Sequence, residues 1–180
     1  MKKVLLTSTG FDNPFIKEKF VKLLNKDVSE AKVLFIITAA NDPDSVRILS
    51  GCLDDLTTAG IIDSNIKVYD MHQLLTQKEF NSYDAIYVCG GSSKYLIDRM
   101  KELNFKKYID TYLKQGGIYV GVSAGSIAAT DKFGLDLITN KLEVHCDTGS
   151  MNGKVLANEN IYLTDNQALL ITDKEKVIFE

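Results

Sequence analysis

Gly116–Ala129 reads GGIYVGVSAGSIAA. An apolar, β-prone run (Ile118–Val120) ends in Gly-Val-Ser-Ala-Gly, and small helix formers follow at once. Glycines at 121 and 125 let the backbone turn sharply where a nearby Cβ would clash. The stretch therefore predicts a strand that turns directly into a helix, with Ser123 held exposed at the turn. That is the Gly-x-Ser-x-Gly pattern of a nucleophile elbow, in the strand-before, helix-after context such an elbow needs. The backbone N–H of Ala124 would then face an oxyanion developing beside the serine. The plainer alternative is a tight turn in which Ser123 is only an N-cap.

Outward from this stretch, short apolar runs recur at Val4–Thr7, Val33–Thr38, Ile66–Tyr69, Ala85–Cys89 and Ile118–Gly121. They are continuous rather than alternating, as expected of parallel strands covered on both faces. Segments with helical spacing lie between them. Phe15, Phe20, Leu23 and Leu24 predict one apolar face, and Val46, Leu49, Leu53 and Leu56 a second, entered through NDPDS. Tyr95, Leu96, Met100 and Leu103 predict a third, and Ile109, Tyr112 and Leu113 a fourth that closes at Gly116-Gly117. The alternation implies right-handed βαβ crossovers and an α/β three-layer sandwich around a mostly parallel, doubly wound sheet. After residue 140 the pattern changes to short strands separated by Asn, Asp and Gly turns, which predict antiparallel additions at the sheet edge. The absence of a repeat or linker leaves residues 1–180 as one domain.

Composition narrows the function. The 180 residues are 45% hydrophobic and 25% charged with a net charge of −3, which is ordinary for a globular chain and offers nucleic acid no basic stripe. The opening apolar run is too short for a signal peptide, and no run approaches the length of a membrane span. Three cysteines without Cys-x-x-Cys spacing, at 52, 89 and 146, read as reduced thiols. A soluble cytoplasmic protein is expected, with no metal; monomer and homodimer both stay open.

Ligands of open α/β sheets bind beyond the carboxyl ends of the strands. A second glycine turn sits at such an end, Gly90-Gly91 in YVCGGSSKYL, where Gly91 could present another oxyanion N–H and Ser92 could line the site or cap the next helix. A serine hydroxyl needs a base. Of the two histidines, His72 in YDMHQLL reads as a surface or capping residue. His145 in LEVHCD follows Ser123 by 22 positions, on a strand expected to add near the elbow.

YVCGGSSKYL, GGIYVGVSAGS and GLDLITNKLEVHCD together resemble the dipeptidase E family of aspartyl dipeptidases, with cyanophycinase a more distant relative. The likeness extends to the closing element YLTDNQALLI. It implies a cofactor-free serine peptidase on a sheet like that of class I glutamine amidotransferases, acting on small peptides. Carried over residue by residue, it implies Ser123 as nucleophile, His145 as base, and Gly91 with Ala124 as oxyanion donors.

The sequence departs from that pattern in three places. Ser92 replaces the usual asparagine, and Cys146 the aromatic after the histidine. The segment between elbow and histidine, which carries the acid in relatives, is shortened. Asp136 matches a non-catalytic place. Asp131 is the nearest candidate acid, eight residues after Ser123, yet a helix of that length is about 12 Å long and would carry it away from His145. Glu143 shares a strand face with His145 and is a second candidate. No carboxylate is expected to be as well placed as in longer relatives, so the reading is a Ser-His dyad or incomplete triad. The alternative is a non-catalytic binding module that keeps the fold. The only arginines, Arg47 and Arg99, fall on helices as solvated residues, so aspartyl specificity is not carried over.

Overall fold

A computed structural model describes residues 2–180. Five strands run parallel: β1 (Lys3–Thr7), β2 (Val33–Ile36), β3 (Ile66–Tyr69), β4 (Ala85–Val88) and β5 (Ile118–Val122). Along them, alternate residues point to opposite faces. Val4, Leu6, Leu34, Ile36, Ile86 and Val88 enter one core, while Leu5, Val33, Phe35, Ala85 and Tyr87 enter the other. Burial on both faces is why the runs of β1, β2, β4 and β5 are continuously apolar. β3 (IKVY) departs from the expectation, because at the sheet edge it is covered less and leaves Lys67 and Val68 exposed.

One core is covered by α1 (Pro14–Leu24) and α3 (Leu49–Thr58), which follows the short α2 (Pro43–Arg47). The other is covered by α4 (Gln77–Phe80), α5 (Ser93–Glu102), α6 (Phe105–Lys114) and α7 (Ala124–Thr130). A fully buried Leu or Phe such as Leu56 or Phe20 contributes about 1.5–3 kcal/mol each to holding these layers together.

Two helical faces differ from expectation. In α1 the buried stripe is Ile16, Phe20 and Leu24, strictly four apart, and Phe15 lies exposed beside the N-cap Asn13. The second segment breaks at Ile48 into two helices. Cys52 and Leu56 face the core there, and Val46 and Leu53 face solvent. Asp42 caps α2 with Pro43 at its first turn, as the NDPDS run predicts.

The last third contains β6 (Leu142–Glu143), β7 (Gly153–Lys154), β8 (Ile161–Tyr162), β9 (Ala168–Thr172) and β10 (Lys176–Phe179). β9 runs antiparallel to β1, β10 to β9 and β7 to β10, giving the eight-strand order β3-β2-β4-β5-β1-β9-β10-β7. β6 and β8 do not join this edge. They pair with each other, parallel, as a separate two-stranded ribbon, because the chain between them, residues 144–160, passes through β7 at the main sheet and returns β8 in the direction of β6. Among the described residues, no helix is long and apolar enough to cross a membrane.

Candidate active site

Ser123 stands between β5 and α7 with φ 48° and ψ −106°, a conformation that strains a residue with a Cβ. The flanking glycines are explained by close approach. A Cβ on Gly121 would lie 2.7 Å from the carbonyl of Gly125, and one on Gly125 would lie 2.4 Å from the carbonyl oxygen of Val88. The helix can therefore leave the strand at once and lie down on β4 and β5. Ser126, fully buried one turn later, donates its hydroxyl to Thr7 or Gly121 carbonyls, both 2.7 Å away, and accepts from the Thr7 N–H. Ser123 itself makes no side-chain cap to α7. The plain N-cap reading is not what this turn does.

His145 lies just past β6 in a bend, not in a strand, with φ 57°. Its Nε2 is 3.0 Å from Ser123 Oγ. Its Nδ1 is 2.7 Å from Oδ1 of Asp165, which sits in the turn between β8 and β9. The expectation that no carboxylate would be well placed is thus overturned by a residue on a different segment. β9 is antiparallel to β1 and begins opposite Thr7, so the turn leading into it lies at the carboxyl end of the parallel strands, beside Ser123.

The structure puts the two earlier carboxylate candidates elsewhere. Asp131 follows the last turn of α7, accepts the Phe133 N–H at 2.7 Å, and lines a cleft of about 370 Å³ between α5 and α7. Glu143 lies in β6, where its carbonyl accepts the Leu163 N–H, while the imidazole nitrogen it might have approached faces Asp165. His72 is exposed beside Asp70 in the loop after β3.

Gly91, at φ 131°, presses so close to Ala39 that a Cβ would stand 2.2 Å from its carbonyl oxygen. A Cβ on neighbouring Gly90 would be 3.3 Å from the Ser123 Cβ and 3.1 Å from Ile48 Cδ1, so this turn borders the serine and an exposed apolar side chain. Ser92 is spent on structure: its N–H donates to Ala39 and its hydroxyl caps α5 at Tyr95. Ala124 begins α7, and the first N–H groups of a helix have no intrahelical acceptor.

The site is open. The His145 and Asp165 side chains are about half exposed, at 48% and 60%. A cleft of about 520 Å³ around Lys2, Ile138 and Lys176 opens beside the start of β1, away from Ser123. Among the described residues, no group of three or more His, Cys, Asp or Glu side chains is arranged to hold a metal ion.

With this geometry in view, comparison with known proteins gives the family. The family model of Peptidase family S51 matches residues 4–146. The chain belongs to peptidase family S51. No curated protein matches it. Among solved structures, it is similar to a protein described as a peptidase E from Listeria monocytogenes EGD-e, with a TM-score of 0.72 and 19% identity over 100% of this chain and 98% of that one. It is also similar to a peptidase from an acI-B1 Actinobacterium, with a TM-score of 0.66 and 17% identity over 99% and 87% of the two chains. At these identities the likeness establishes the α/β fold. Membership of the S51 family makes this a peptidase-type hydrolase. The S51 match stops at residue 146, short of Asp165.

Proposed function

We propose that this S51 family member hydrolyses small peptides through Ser123, His145 and Asp165 acting as a triad. The observation that carries the reading is the unbroken line of contacts, 3.0 Å from Ser123 Oγ to His145 Nε2 and 2.7 Å from Nδ1 to Asp165. Asp165 accepts a hydrogen bond from Nδ1–H, which fixes the tautomer that leaves Nε2 free to act as a base. Nε2 takes the serine proton as Oγ attacks the scissile carbonyl, and gives it to the departing amine. The N–H groups of Ala124 and Gly91 would stabilise the oxyanion; removing one such donor typically costs about 10²- to 10³-fold in kcat. Water then repeats the sequence on the acyl-enzyme, with His145 again the base. Three free thiols, Cys52, Cys89 and Cys146, fit a reducing compartment such as the cytoplasm.

A fluorophosphonate probe followed by peptide mass spectrometry tests this directly. Labelling is expected at Ser123 in folded wild-type protein and not in His145→Ala. Unlabelled Ser123, under conditions that label a control hydrolase, would return the fold to a non-catalytic binding role.

A further inference from the structure

We propose that the three consecutive residues Thr7, Ser8 and Thr9 are the element that positions the triad, with Ser8 setting the imidazole; the inference rests on the Ser123-His145-Asp165 reading. Each residue holds a different member. The Thr7 carbonyl accepts the Ser123 N–H at 3.0 Å and lies within hydrogen-bond reach of the Ser126 hydroxyl. The Ser8 hydroxyl accepts the His145 N–H at 3.1 Å and donates to the Leu163 carbonyl at 3.2 Å. The Thr9 hydroxyl donates to the Asp165 carbonyl at 2.8 Å.

The topology explains why one tripeptide reaches all three. β1 lies between β5 and β9, with Thr7 opposite Val122 on one side and Ala168 on the other. The chain leaving β1 is therefore flanked by the serine turn and by the turn that carries Asp165. His145 belongs to neither strand and approaches from the β6 end, so it needs a separate tether.

Ser8 is that tether. It is fully buried, and its single hydroxyl uses both its donor and an acceptor to hold two segments together. Leu163 is already bound to the histidine segment, since its carbonyl also accepts the Cys146 N–H at 3.0 Å. The His145 backbone is left-handed, a state that a residue with a Cβ keeps only when its surroundings impose it. Without the Ser8 acceptor, the His145 backbone can relax toward negative φ and swing its ring off both Ser123 and Asp165. Being buried, Ser8 cannot touch a peptide, so its removal acts on turnover and not on substrate binding.

The test compares wild type with Ser8→Ala and with Thr9→Val, which keeps side-chain shape at a half-buried position if Ser8→Ala fails to fold. Ring resonances of ¹⁵N-histidine report the Nδ1–H···Asp165 bond whether or not the protein turns over, and His72 serves as an internal reference. Wild type is expected to show a downfield Nδ1 proton that Ser8→Ala loses while the His72 signals stay in place. The rate of Ser123 phosphonylation per folded molecule should fall about 10- to 100-fold in Ser8→Ala, the scale of an ångström-sized misplacement, with KM for a peptide unchanged. Thr9→Val should move both readouts in the same direction by less. An unchanged ring proton and labelling rate in Ser8→Ala, or a loss that only follows the folded fraction, overturns the proposal. A wild type that shows the bonded ring proton but never labels at Ser123 overturns the hydrolase reading instead; loss of that ring proton in Ser8→Ala still supports the positioning.

Discussion

Asp165 stands 2.7 Å from the Nδ1 of His145, although it follows the histidine by 20 positions and comes from the turn before β9, which runs antiparallel to β1. A segment shortened between Ser123 and His145 therefore does not leave the imidazole without a carboxylate.

Asp165→Ala should lower kcat by up to about 10⁴-fold, the value of an acid that fixes the histidine tautomer. Ser123→Ala should abolish turnover, and adding Asp165→Ala to it should cost nothing further, because the three act as one unit. Asp131→Ala should change kcat less than about tenfold, since its carboxylate faces Phe133 and not His145. Steady-state kinetics on any cleaved peptide checks all four variants. A thousandfold loss in Asp131→Ala with little loss in Asp165→Ala would reverse the assignment.

Gly125→Ala should destabilise the fold by about 1–3 kcal/mol as well as impair the site, because its methyl group would meet the Val88 backbone at 2.4 Å, which cannot give way as a side chain can. Urea unfolding measures this. A Gly116→Ala control has open space for its methyl group, but at φ 95° it pays in backbone strain alone.

Asp55 gives the stability a pH dependence. Burial raises its carboxyl from the ordinary 3.8 to about 6, opposed by hydrogen bonds from the Tyr87 hydroxyl and the Phe11 N–H. The folded state thus favours the protonated acid. Its stabilisation is complete below the unfolded value and is lost as pH rises through about 6, a change of roughly 3 kcal/mol at most. Asp55→Asn keeps an oxygen to accept both bonds and cannot ionise. It should flatten the pH profile of unfolding free energy across this window and be more stable than wild type at neutral pH; an equally steep profile in the variant would assign the effect to another group.

Arg99, expected as a solvated residue, is largely covered and fully engaged, while Arg47 stays exposed on α2 in a weak surface pair. Arg99 binds the carbonyls of Met71 and His72 and the carboxylate of Glu102, and Arg47 pairs with Asp44. A panel of dipeptides should show Asp-X preferred over Ala-X by less than about tenfold in kcat/KM, the discrimination available without a dedicated polar pocket. A strong selective preference for Asp-X would overturn this expectation and point to a cationic partner such as the exposed Arg47.

How far the fold could be read in advance follows from the range of the interactions involved. Strands β1, β2, β4 and β5 are legible because burial on both faces demands uninterrupted apolar runs, whereas the edge strand β3 carries Lys67 and an exposed Val68. The turn at Ser123 is legible because part of what it requires is local: a Cβ on Gly121 would meet the Gly125 carbonyl four residues on, and that demand is written as Gly-x-Ser-x-Gly. The break at Ile48 is less so, since Val46 and Leu53 are apolar yet exposed, and periodicity alone cannot tell which side of a helix a sheet will cover.

The site divides along the same line. By itself the sequence determined a serine on a strand-to-helix turn and, there being only one other histidine, the imidazole most able to serve it. Asp131 and Glu143, close along the chain to Ser123 and His145, were natural candidates because local spacing is all that a linear pattern measures. Only the tertiary structure brought Asp165 to the imidazole, through the antiparallel pairing of β9 with β1 that carries the 163–167 turn to the carboxyl end of the sheet. Only it showed that Thr7, Ser8 and Thr9, which look like the polar end of a strand, touch all three segments of the site. The physical reason is that a catalytic contact is set by distance in space, and strand order, not separation along the chain, decides which turns meet.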